Sequence, residues 1–126
     1  MLLEDRTEDD YSKIIEAAVT KLAALGFQEF RTDLPHHPDP IPITRLDSAK
    51  SKFVPDIVAE RTGKKAYLEI AKKPQDLERL VSKWYLLSKI AIMKDGFFGI
   101  LTPKGTLKFT KEIVEAHNLE VQLIRI

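Results

Sequence analysis

The sequence predicts one α/β domain with a mixed central sheet of about five strands and helices on its faces, in the order α-β-β-β-α-β-α-β. Three observations carry that expectation. Apolar residues recur at helical spacing in separate segments, short β-rich runs lie between them, and Gly, Pro and Asp mark the joins.

Thr7 with Asp10 reads as a capping box. Tyr11, Ile14, Ile15, Ala18, Val19, Leu22 and Leu25 then follow one helical stripe until Gly26. Phe27 to Thr32 has the length and aromatic content of a strand. Leu34 to Lys52 carries four prolines and is expected to be a long irregular loop, a lid or a connection, bordering the site. Phe53 to Glu60 and Lys65 to Ala71, joined through Thr62-Gly63, predict a β-hairpin with Pro55 at an irregular or edge position.

After Pro74, the residues Leu77, Leu80, Val81, Trp84, Leu87 and Ala91, flanked by Tyr85, predict a helix ending near Lys94 at Asp95-Gly96. Leu86 and Ile90 lie off its stripe and are candidates for a homodimer or partner-subunit contact. Phe97 to Leu101 suits a strand buried on both faces. A third helix is expected from about Lys111, with Thr110 as N-cap and Phe109 and Val114 as a hydrophobic staple. It ends near Asn118, and Val121 to Ile126 forms the last strand.

Composition narrows the function classes. The chain has 126 residues, 44% of them hydrophobic and 31% charged, which is the size and make-up of one globular domain spanning 1–126. It has no apolar run of membrane-spanning length and an acidic start, with five Asp/Glu among the first ten residues, so a cytoplasmic location and no membrane partner are expected. Cysteine is absent, which removes disulfides, thiolate zinc sites and cysteine nucleophiles. The net charge is +1, yet Lys64 to Lys111 holds eleven Lys/Arg against four Asp/Glu, the distribution of a basic face or of ordinary solvated lysines.

The hairpin carries the chemistry. Asp56 lies on its first strand and Glu69 on its second, thirteen residues later, a separation a tight turn brings together with both acids on one face. Cleaving a phosphodiester needs carboxylate oxygens for a hard divalent cation and a lysine beside the attacking water.

Pro55-Asp56-Ile57-Val58, then Tyr67-Leu68-Glu69-Ile70-Ala71-Lys72 ahead of a helix, resembles the signature of the PD-(D/E)XK nuclease superfamily. Gly99-Ile100-Leu101-Thr102, Phe109-Thr110-Lys111-Glu112 and Glu115-Ala116 are similar to the end of its Mrr-like and Holliday-junction-resolvase-like branches. The resemblance implies a restriction-endonuclease-like core and a DNA phosphodiesterase using Mg²⁺ or Mn²⁺. Asp56, Glu69 and the carbonyl of Ile70 would hold the metal, with Glu16 of the first helix as a further carboxylate.

The family places its lysine two residues after the acid, where this chain has Ala71, and Lys72 comes one residue too late. A regular strand cannot present Glu69 and Lys72 to one site, because a one-residue slip reverses the face. Three solutions stay open: a bulge at Ala71 that turns Lys72 inward, a lysine from elsewhere such as Lys65 or Lys83, or an abandoned active site. The last leaves a nuclease-fold module that binds nucleic acid or protein without catalysis, or a small scaffold that binds no nucleic acid.

Other constellations are weaker. His36, His37 and Asp39 sit in the proline-rich loop, where adjacent side chains diverge and a fourth ligand is missing from the pattern. Trp84 and Tyr85 could stack on a base, but their spacing with Leu77, Leu80 and Val81 favours core packing.

Overall fold

A computed structural model describes residues 8–40, 43–45, 48–72 and 76–126. The proposed cap at Thr7 lies outside them. Helix α1 spans Glu8–Ala24, and strand β1 (Gln28–Arg31) follows Gly26, whose φ of 96° suits a residue without Cβ. The hairpin partners are β4 (Ile57–Arg61) and β5 (Lys64–Ile70). Then come α2 (Leu77–Met93), β6 (Phe97–Thr102), α3 (Leu107–Ala116) and β7 (Gln122–Arg125). The main sheet runs β1-β4-β5-β6-β7. Its first two pairings are antiparallel and its last two parallel, so it is the mixed five-stranded sheet that the sequence pattern predicts.

Strand alternation divides the apolar residues between two layers. Ile57 and Ala59 of β4 and Ala66, Leu68 and Ile70 of β5 pack with Ile15, Ala18 and Leu22 of α1. Val58, Tyr67 and Ala71 point the other way, against Trp84, Leu87 and Ala91 of α2 and Ile113 of α3. Each fully buried Leu or Ile stabilises the fold by roughly 2 kcal/mol, so the helix stripes hold the layers together. Asp76 begins α2 by accepting a hydrogen bond from the Arg79 amide at 3.1 Å.

Three expectations are corrected. The segment expected to be irregular holds β2 (Ile43–Arg45) and all but the last residue of β3 (Ser48–Phe53), an antiparallel pair that stands as a separate two-stranded sheet, and Phe53, expected to open the hairpin strand, ends β3 instead. All four prolines precede Ile43, so none interrupts its ladder. Helix α3 begins at Leu107, not near Lys111, with Thr106 in the cap position. Thr110 is a fully buried interior residue whose hydroxyl donates to the Thr106 carbonyl at 2.8 Å.

The outer face of α2 also differs. Leu86 and Ile90 are half-buried, and Ile90, three residues on from buried Leu87, packs against the α2-side core. The exposed apolar residues of α2 are Leu77, Tyr85, Ile92 and Met93, while Trp84 is fully buried. Tyr85, expected to pack inward with Trp84, is 52% exposed and lies under the Lys89 ammonium.

Candidate functional site

The hairpin register sets the site. Ile57 pairs with Leu68, so Asp56, one residue before β4, comes level with Glu69. Pro55 ahead of it has no N–H to extend the ladder, and Asp56 takes over the pairing with its side chain. Asp56 Oδ2 accepts from the Ile70 amide at 2.8 Å, and the Asp56 amide donates to Glu69 Oε2 at 2.9 Å. The next amide, Ala71, donates to the Leu101 carbonyl at 2.8 Å, so β5 stays paired with β6 on its other edge. Amide and carbonyl of one strand residue point to the same edge, which turns the Ile70 carbonyl toward Asp56 as well.

Glu69 is 2% exposed. It shares strand parity with Tyr67 and Ala71, on the layer that α2 covers. From α2, Lys83 reaches it, with Nζ 3.0 Å from Glu69 Oε1. Burial pushes the Glu69 carboxyl above the usual range, the Asp56 charge adds to the rise, and the Lys83 ammonium opposes it.

A third element arrives from the opposite layer. The Tyr11 hydroxyl of α1 donates to Asp56 Oδ1 at 2.7 Å. Burial, and then the neighbouring Asp56 charge, push the phenol well above its ordinary range, so it remains a protonated donor. Each of the four oxygens of Asp56 and Glu69 thus meets a protein donor: Tyr11, Ile70, the Asp56 amide or Lys83.

The candidate lysines part company. Lys72 is exposed, its Nζ 5.5 Å from the Tyr11 ring centroid on the α1 side, as the parity of β5 requires. The β5–β6 register is continuous from Ala66 to Ile70. Lys65 is exposed opposite Glu60. It stands four residues from Glu69, about 13 Å along the strand. Lys83 is the lysine that the fold brings to the acids.

Glu16 is exposed on α1, and at 100° per residue it stands about 140° around the helix from Tyr11. Among the described residues no group of three or more His, Asp or Glu is placed to hold a metal ion. His37 Nδ1 is 2.8 Å from Thr32 Oγ1, with its ring centroid 6.2 Å from that of Phe30 and 4.2 Å from that of His36. The Asp39 carbonyl accepts from Arg31.

The donor set still fits a hard divalent cation. Two carboxylates and a strand carbonyl supply oxygen ligands, and a carboxylate has about four lone-pair sites, of which hydrogen bonds here use two on each acid. Sequence reasoning missed Tyr11. It lies on the helix-one stripe, yet no periodicity connects it with a residue 45 positions away.

No protein-family model, curated protein or solved structure matches the chain. No helix among the described residues is long and apolar enough to cross a membrane.

Proposed function

We propose that the chain is a metal-dependent phosphodiesterase of the nuclease type acting on DNA, with Asp56 and Glu69 holding Mg²⁺ or Mn²⁺ and Lys83 as its lysine. The observation that carries the reading is the convergence of three groups from separate places in the sequence. Asp56 donates its amide to Glu69 at 2.9 Å, and Lys83 meets the same carboxylate at 3.0 Å. Such a set is costly to bury without a task, because desolvating an ion pair offsets much of its attraction.

In this reading Asp56 and Glu69 bind the cation through carboxylate oxygens, assisted by the Ile70 carbonyl. A bound cation supplies charge stabilisation at the phosphate and acidifies water. Lys83 opposes the rise that burial imposes on the Glu69 carboxyl and presents an ammonium next to the attacking water. Exposed Lys65 and Lys72 offer positive charge to a polyanion.

The test is cleavage of plasmid and branched DNA with Mg²⁺ or Mn²⁺, comparing wild type with Asp56→Ala, Lys83→Met and Lys72→Met, each checked for folding by circular dichroism. Metal-dependent cleavage lost in the first two variants and kept in the third is the expected result. A wild type that cuts nothing and binds no Mn²⁺ sinks the proposal.

One observation favours a second reading. Every oxygen of the acid pair already has a protein donor, so the site is internally satisfied, as befits a nuclease-fold module that binds nucleic acid or protein without catalysis. That module would bind DNA, or a partner, equally well in chelator.

A further inference from the structure

Asp56 is held at three points. The Ile70 amide fixes one oxygen at 2.8 Å, and Glu69 takes the Asp56 amide at 2.9 Å. Both constraints come from β5, the neighbouring strand. They leave the second carboxylate oxygen free to swing about the first, because one hydrogen bond sets a distance and two set a plane. The second bond comes from Tyr11, across 45 residues and from the opposite layer.

The helix is well placed for this work. Ile15, Ala18 and Leu22 are fully buried against the sheet, so α1 is anchored one turn beyond the tyrosine. Glu16, the helix-one acid with a ligand's chemistry, is exposed and points elsewhere. The α1 contribution to the acid pair is therefore a hydrogen-bond donor instead of a third carboxylate.

We infer that Tyr11 is a positioning residue that sets the plane of the Asp56 carboxylate for a divalent cation. The inference rests on the metal-binding reading above. Donors behind a metal ligand orient it, and their removal weakens metal binding by about 10–100-fold in known sites. The rival account is packing: the Tyr11 ring sits against the α1-side core and carries the Lys72 ammonium at 5.5 Å. Phenylalanine preserves both of those contacts and deletes only the hydroxyl.

The experiment is calorimetric titration of the full chain with Mn²⁺, for wild type, Tyr11→Phe and Tyr11→Leu, with thermal midpoints measured in chelator. Positioning through the hydroxyl weakens Mn²⁺ binding about tenfold in Tyr11→Phe, and Tyr11→Leu loses as much affinity while also melting lower. Equal or tighter binding by Tyr11→Phe overturns the inference and leaves the metal site standing. Absence of Mn²⁺ binding by wild type overturns the metal reading together with the inference, and the wild-type titration alone tells the two failures apart.

Discussion

The Lys83 ammonium on α2 lies 3.0 Å from the Glu69 carboxylate on β5, with the glutamate side chain 3% and the lysine side chain 21% exposed. The acid is out of water and its cation only partly so. Removing the lysine takes away the charge that opposes burial at Glu69, so the acid holds its proton to higher pH, while removing the acid leaves an ammonium that can turn to solvent.

Lys83→Met is therefore expected to raise the Glu69 pKa further and to destabilise the protein by about 1 kcal/mol at pH 9, where the wild-type acid is ionised. At pH 5 Glu69 is protonated with or without the lysine, and the loss shrinks. Urea titrations at the two pH values check this. Lys72→Met, at an exposed position, is expected to change stability by less than about 0.5 kcal/mol.

Glu69 itself gives stability a definite slope. Its folded-state pKa lies above the unfolded 4.5, so the native chain keeps a proton that the unfolded chain has released. The contribution is fully present below pH 4.5 and is lost as pH rises through the folded value. Wild type minus Glu69→Gln should therefore fall with pH above 4.5, by at most about 1.4 kcal/mol per pH unit. A flat or rising difference between the two denaturation curves contradicts this assignment.

Asp56→Ala removes the acceptor of both the Ile70 amide and the Tyr11 hydroxyl. Because the carboxylate is half-buried, the expected cost is about 2 kcal/mol, with the fold retained. Chemical denaturation gives the number, and Mn²⁺ titration of the same sample is expected to find no specific site.

Gly99 in β6 marks a close approach. A Cβ built there would lie 2.7 Å from Phe97 Cε1 and 2.9 Å from Leu68 Cδ2. Gly99→Ala is expected to cost about 1–3 kcal/mol through overpacking, read from the thermal midpoint.

The layers were legible because each strand or helix stripe answers to its own period. Ala66, Leu68 and Ile70 against Tyr67, Glu69 and Ala71 is an alternation visible in the sequence, and it sends one set to α1 and the other to α2. The meeting of Asp56 with Glu69 was legible for the same reason, since a short hairpin fixes its own register. Tyr11 and Lys83 reach that pair through the packing of whole helices, which local spacing does not encode. The conflict between Glu69 and Lys72 was visible as a parity violation, but the identity of the lysine that meets the acid depends on where α2 crosses the sheet. Thr110 misled because threonine before an apolar run signals a cap. The true start at Leu107 follows from the Pro103 carbonyl, which accepts from both the amide and the hydroxyl of Thr106.

The Ile70 amide is bonded to a side chain, while that of Ala71, one residue later, is bonded to a backbone carbonyl. A ladder amide exchanges its hydrogen with solvent only when strands part, whereas one held by a carboxylate can also exchange whenever that side chain rotates away. Two neighbouring positions in one strand thus run on different clocks. Their ratio, followed by deuterium labelling, separates a local opening of the acid pair from the breathing of the sheet.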